Sequence, residues 1–334
     1  MRIGVVLPRD LPDTNVITFA RNVDELGFDN LWVVEDLGYK GGFAQAGAVL
    51  AATSRVRVGI GVLPVAARNP VFTAMEAATL ANLFPGRITL GVGHGMPVWM
   101  RQVGIAVDSP LTLLAETLDA VRGLLAGDTV SIDGRYVHLD AVRLEAPPAL
   151  PPVVLAGVRG PRSMEVSGEH ADGTLLAEPV TVEYLEHTRT LTKRGVARRP
   201  ARQKDVSSAA EHQLHAYNVA WVDDDPDVAR DRVRQTVAVF GQPDWWPHIA
   251  SLPFAEAFKA LAAQHRSTND LARLLPAEWI DELAIVGTAA TVRRRLADLN
   301  RAGAASCSYF VDGAVTSGQL SKLAAASNMS VRNR

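Results

Sequence analysis

The chain has 334 residues, 48% of them hydrophobic and 21% charged, and a formal net charge of -2. That length suits one large core, and the near-neutral balance excludes the clustered cationic excess that a phosphate-tracking nucleic-acid surface needs. Its one cysteine, Cys307, excludes an internal disulfide and any multi-thiolate metal site. The opening residues lack a signal-peptide design, and no stretch approaches the roughly 18 apolar residues of a membrane span. The expectation is a cytoplasmic protein with no membrane and no nucleic-acid partner. The histidines show no metal-ligand spacing; His212 and His215 share a helical-type face without a thiolate or acid pattern nearby, so no metal is expected.

In chain order, short β-branched runs alternate with amphipathic stretches. Residues 3–7 form a strand stopped by Pro8. Asp13 or Thr14 is placed to cap a helix whose apolar residues Val16, Ile17, Ala20, Val23 and Leu26 recur at helical spacing, and Gly27 closes it. Strands follow at 31–34, 56–62 and 88–92, with helices at 71–83 and 111–125. Further strands are expected at 153–156, 174–177 and 216–222, then a helix at 289–300 and an eighth strand at 306–311. Alternating units specify a parallel sheet with helices outside it. Eight of them favour an α/β (β/α)8 TIM barrel over an open sheet, one domain spanning 1–334.

Two stretches exceed a simple connection. The first, about 128–150, contains Asp133-Gly134 between alternating runs, the signal of a β-hairpin. The second, about 223–284, contains Trp245-Trp246-Pro247 and helical patterns, and reads as an added helical lid or interface. Residues 196–209 are polar and basic, with Arg198, Arg199, Arg202 and Lys204, and read as a mobile loop.

In such a barrel the chemistry sits at the carboxyl ends of the strands. Strand two ends at Glu35 and Asp36, adjacent acids that point to opposite sides of a strand. Either can hold a ring N–H or hydroxyl, or exchange a proton. Strand three ends at Gly61, Val62 and Leu63. Strand four ends in Gly91-Val92-Gly93-His94-Gly95, whose glycines suit a strand passing close beneath a flat ring. His94 there can donate a proton, hydrogen-bond a coenzyme, or be structural. The run lacks the third glycine and the acid of a dinucleotide fingerprint. Met96 and Trp99 follow as a substrate wall. Strand five runs from Ala156 into Gly157-Val158-Arg159-Gly160-Pro161-Arg162-Ser163. Here glycines allow close approach, Pro161 fits the first helical position, the helix start offers free N–H groups, and the arginines add forked donors. This is either a phosphate cradle or a sharp turn with solvated arginines. Ala177 and Glu178 end strand six.

These motifs resemble the bacterial-luciferase-like oxidoreductases, above all their coenzyme F420-dependent subgroup. The resemblance rests on Trp32-Val33-Val34-Glu35-Asp36, Gly59 to Pro64 with Arg68-Asn69-Pro70, Pro85-Gly86-Arg87 with Gly91 to Gly95, Pro152 to Gly157 with Gly160 to Ser163, Ala171-Asp172-Gly173, and Ile285 to Thr288 with Ala302-Gly303. It is weakest from about 223 to 283. It implies a barrel that binds F420, or alternatively FMN, at the strand carboxyl ends, with Glu35, Gly61, Val62, Leu63, Gly93, His94, Ala156, Ala177 and Glu178 against the coenzyme. Residues 157–163 would hold its phosphate, and Gly61–Val62 would be a cis peptide behind the ring. Relatives that oxidise a sugar phosphate carry a histidine where Asp36 stands and a glutamate where Met96 stands. That departure favours hydride delivery to a C=C or C=N bond of a small substrate, with Asp36, His94 or a water completing protonation and Glu35 also a candidate. The alternatives are an FMN-dependent monooxygenase fed by a flavin reductase partner and a non-catalytic flavin-binding paralogue. Relatives of this kind also imply a homodimer packed through helices near strands two and three; the small-residue helix at 44–52 suits either such packing or a place on the barrel.

Overall fold

The computed structural model describes residues 1–199, 211–265 and 267–327. Its strands are β1 (Arg2–Val6), β2 (Asn30–Val33), β3 (Arg57–Pro64), β4 (Ile88–Gly93), β5 (Val130–Asp133), β6 (His138–Val142), β7 (Val153–Gly157), β8 (Gly173–Leu176), β9 (Gln213–Val222), β10 (Ile285–Gly287) and β11 (Ser306–Phe310). The first seven helices are α1 (Asp13–Glu25), α2 (Gly42–Ala52), α3 (Pro70–Leu83), α4 (Pro97–Gln102), α5 (Pro110–Leu125), α6 (Pro161–His170) and α7 (Val182–Arg198). Hydrogen bonding follows the order β10-β9-β11-β1-β2-β3-β4-β7-β8, and β9 also pairs with β8. Eight parallel strands thus close on themselves as a TIM barrel, with β10 appended to β9 and β5-β6 forming a separate two-stranded sheet. The barrel strands read as unbroken apolar runs because both of their faces are covered; every residue of β2 and β8 is buried.

Two compact units make up the chain. One comprises Asn30–Leu175 and Thr190–Gln213. Its core joins Leu31, Val58, Ile60, Leu90 and Leu155 on the strands to Ala46, Ala77, Leu114 and Leu118 on the helices. The antiparallel pair β5-β6 lies within it, with Asp133 opposite His138. A two-residue Asp-Gly turn is therefore not what forms. The reason is Glu116 of α5, whose carboxylate accepts from the N–H groups of Arg135, Tyr136 and Val137 at 2.7, 2.9 and 2.9 Å and holds a longer tip.

The other unit comprises Met1–Asp29, Leu176–Arg189 and Leu214–Arg334. The stretch after β9 is helical as expected, with helices at Pro226–Val239, Trp246–Ile249, Ala255–Gln264, Thr268–Leu274 and Ala277–Leu283. It builds a core of its own from Phe240, Ile249, Phe258, Leu271 and Ile280, closed by Val219 of β9 and Val286 of β10. Phe254 stacks on Trp279 at 5.1 Å, and Arg230 grips Asp281 through two hydrogen bonds of 2.8 Å.

Three local expectations are corrected. Helix α1 takes Pro12 as its N-cap, with no side-chain cap, so Asp13 lies inside the first turn, where it faces the positive helix end. Residues 196–198 continue α7 rather than opening a loop. Arg199 is buried, donating Nε to Gly168 O at 2.8 Å and Nη2 to Ala171 O at 2.5 Å. The rest of the expected loop, 200–209, including Arg202 and Lys204, lies outside the described residues. Finally, His212 and His215 share no helix: His215 belongs to β9, where its Nδ1 lies 2.8 Å from Ser306 Oγ. No helix among the described residues is long and apolar enough to cross a membrane.

Candidate active site

In the unit holding β2 to β7, the carboxyl ends of the strands come into register. Pro64 of β3 lies opposite Gly93 of β4, and Gly93 opposite Gly157 of β7. The β3-β4 ladder breaks between Ile60 and Leu63, where the Gly61–Val62 peptide is cis. This break turns the Val62 side chain over the two facing glycines. A Cβ at Gly157 would lie 2.3 Å from Val62 Cγ1; one at Gly93 would lie 3.1 Å from Cγ2 and 2.7 Å from Gly157 O. Gly157 is therefore needed to admit Val62, and Gly93 to admit the Gly157 carbonyl, with Val62 close behind it. Leu63, Ala156 and Val158 are buried, so they offer backbone rather than side chain to anything bound at the rim.

Glu35 is engaged more fully than its position after β2 suggests. Its Oε1 accepts from Arg68 Nη1 at 2.5 Å, and its Oε2 from Arg68 Nη2 at 2.8 Å and from Gly42 N at 2.7 Å. The Glu35 hydrogen bond holds the Arg68 guanidinium above its ordinary value against the opposing effect of burial. A forked pair of this kind is geometrically specific. It ties the end of β2 to the loop after β3 and to the start of α2. Both carboxylate oxygens accept hydrogen bonds, so Glu35 holds this rim together. Asp36 is half-buried, and its carbonyl accepts from Tyr39 N at 3.0 Å across a turn that needs the positive φ of Gly38, 84°.

His94 sits one residue beyond β4, half-buried. Burial pushes its imidazole below the ordinary value, although a hydrogen bond to the Pro110 backbone pulls the other way. Its Nδ1 is buried and has no hydrogen-bond partner in the protein. Met96 is the N-cap of α4, and Trp99 lies within its first turn; both are half-buried.

The turn from β7 into α6 matches its sequence reading in form. Gly160 is the N-cap, Pro161 the first helical residue, no side chain caps the helix, and no acid lies in its first turn. The N–H groups of Arg162 and Ser163 therefore open a helix start that favours an anion. Arg159 is half-buried and Arg162 exposed.

Ala177 and Glu178 belong to the other unit, where they follow β8, and Glu178–Pro179 is a cis peptide. Burial, and then the Glu178 carboxylate, push the Tyr217 phenol well above its ordinary value. Asn218 beside it brackets Val180, accepting from its N at 2.8 Å and donating to its O at 3.1 Å. Sequence reading missed Tyr217 and Asn218, which sit in the middle of β9. It quoted Arg68 only as part of a motif; the Asn69 cap and Pro70 at the helix start were the local signal there. Among the described residues, no group of three or more His, Cys, Asp or Glu side chains is placed to hold a metal ion.

Comparison with known proteins places this geometry. A 5,10-methylenetetrahydromethanopterin reductase from Archaeoglobus fulgidus is 25% identical over 312 residues, 91% of each chain. An F420-dependent glucose-6-phosphate dehydrogenase from Nakamurella multipartita is 33% identical over 178 residues, 50% of this chain and 51% of that protein. The solved coenzyme F420 dependent tetrahydromethanopterin reductase from Methanopyrus kandleri superposes with a TM-score of 0.81 at 20% identity, covering 97% of both chains. Residues 1–306 match the luciferase-like monooxygenase family, and the chain belongs to it.

Proposed function

We propose that this protein is an F420-dependent oxidoreductase that delivers a hydride to a C=C or C=N bond of a small, flat or apolar substrate. Membership of the luciferase-like family makes the chain a flavin- or deazaflavin-class oxidoreductase. The choice of F420 is supported by the reductase and dehydrogenase relatives. The observation that carries the reading is the buried, partnerless Nδ1 of His94 at the rim of β4. A buried polar atom left unpaired in the free protein costs about 1–3 kcal/mol, which a bound ring donor would recover.

The residues present fit such a coenzyme. The open start of α6 with Arg159 and Arg162 would hold its phosphate, His94 one polar edge of its ring, and the backbone of Gly61 to Leu63 and of Gly93 its face. When bound, the coenzyme supplies a hydride donor that does not react with oxygen. Glu35 and Arg68 keep the ends of β2 and β3 in place. Met96 and Trp99 exclude water and favour an apolar acceptor. Asp36, His94 or an ordered water would complete the protonation; burial holds the His94 imidazole below its ordinary value.

The test is fluorescence titration with F420 and with FMN, followed by turnover on an enone and imine panel against secondary alcohols. Tight F420 binding with enone or imine reduction is expected. Tight FMN binding with oxygen uptake coupled to product would overturn the proposal in favour of a flavin monooxygenase.

A further inference from the structure

We propose that residues 95–107 are a flap over the candidate active site and that Met100 is the positioning residue that latches it shut. The flap lifts to let coenzyme and acceptor in, and the Met100 thioether, seated on Gly95 and Pro64, holds it down afterwards. The inference deepens the reading of this rim as a coenzyme site, but the latch itself stands on geometry within one unit of the fold.

The stretch leaves β4 at His94 and has little to hold it. Among residues 95–110, all of them described, Met100 is the only one buried; the apolar Val98 and Val103 are 52% and 46% exposed. Helix α4 keeps its hydrogen bonds to itself. Ile105 N donates to Met100 O at 3.0 Å and Gly104 N to Arg101 O at 3.1 Å, a closed helix end that needs the positive φ of Gly104, 76°. Among the described residues, no hydrogen bond or ion pair joins 95–107 to the rest of the chain. Anchorage resumes beyond it, where Asp108 pairs with Arg135 at 3.2 Å and Ser109 N donates to the Tyr136 hydroxyl at 2.8 Å. Between those ends Met100 is the side chain that pins the flap. A Cβ at Gly95 would lie 3.0 Å from Met100 Cε, 3.1 Å from its Sδ and 3.1 Å from Pro64 Cβ, so thioether and proline close on the bare face of this glycine. Pro64 ends β3 and lies opposite Gly93, which puts the seat on the same rim. An unbranched thioether fits such a seat and can leave it without breaking a hydrogen bond. Trp99, its neighbour in the chain, moves with it.

Hydrogen exchange of the full chain, read by mass spectrometry on peptides covering 96–105, reports flap opening. Met100→Ala should speed exchange there roughly tenfold or more, the scale of emptying a buried methionine site. Met100→Leu refills the volume and should return it to the wild-type rate. Leu124→Ala empties a fully buried site at the far end of α5 and should leave 96–105 unchanged. Stopped-flow fluorescence with F420 then separates gating from simple support. Dissociation from Met100→Ala should be roughly tenfold faster with association within about twofold, since loss of a closing contact falls on the off-rate, and Met100→Leu should restore it. An unchanged exchange rate in Met100→Ala, or an equal rise in Leu124→Ala, would overturn the proposal. So would faster exchange with an unaltered off-rate. Faster exchange in a protein that binds no F420 would refute the coenzyme reading and leave the latch standing.

Discussion

His212 offers the sharpest stability test. Its Nδ1 lies 3.3 Å from Arg199 Nη2 and its Nε2 2.8 Å from Thr174 Oγ1. The guanidinium can only donate, so Nδ1 accepts and Nε2 carries the hydrogen. Thr174 Oγ1 in turn lies 2.7 Å from Ser167 Oγ, which donates to Gly173 O at 3.2 Å. A second proton would set a cation against Arg199 inside the fold. Burial first, and then Arg199, lower the imidazole from 6.5 to about 3, although the Ala171 carbonyl opposes them. The folded value lies below the unfolded one, so the stabilisation is complete above about pH 6.5 and is lost as pH falls toward 3. At pH 5 the deficit is about 1.5 pH units, or about 2 kcal/mol. That is a sizeable share of the roughly 5–15 kcal/mol of a typical fold. Equilibrium urea unfolding at pH 7 and pH 5, for wild type and His212→Gln, isolates it. Groups common to both proteins cancel, and the wild type should lose about 2 kcal/mol more than the variant. Equal losses would refute the reasoning.

Other outcomes follow from the same geometry. Arg68→Met, which leaves Glu35 half-buried with Gly42 N alone, should cost about 2 kcal/mol in urea unfolding and weaken coenzyme binding; Arg68→Lys should recover only part of either. Gly157→Ala should destabilise by about 1–3 kcal/mol through collision with Val62, and Val62→Ala in the same chain should restore most of it, a coupling that a double-mutant cycle reads directly. Burial works to raise the Glu116 carboxyl, but the three tip amides outweigh it and hold it below its ordinary value. The stability advantage of wild type over Glu116→Gln should therefore be full above about pH 5 and shrink as pH falls through that depressed value.

The barrel strands were legible because each is a short apolar run stopped by glycine, proline or a charge, with a helical period between. The rim was legible through the rule that barrel chemistry sits at strand carboxyl ends, which picked out His94, Asp36 and the 157–163 turn as positions. What those groups do there was not. Whether Glu35 faces the rim or a cation depends on Arg68, which lies 33 residues away and meets it only through folding. The Asp133-Gly134 signal gave the hairpin but not its tip, because the tip amides are claimed by a helix side chain earlier in the chain. His212 and His215, three apart, fit a helix as well as the edge of a strand, and only pairing decides. Tyr217 is hidden for another reason: a polar residue in the middle of a strand carries no local mark of which neighbour it answers to.

The placement of Val62 carries one more consequence. One of its methyl groups occupies the volume that a side chain at 157 would take, and the other crowds one at 93, where the Gly157 carbonyl stands closer still. Three positions on three strands therefore behave as a single steric unit: a larger residue at 157 requires a smaller one at 62, and one at 93 requires the backbone at 157 itself to shift. Anyone reshaping this end of the barrel for another ring or another acceptor will have to redesign the trio together, because no member can grow on its own.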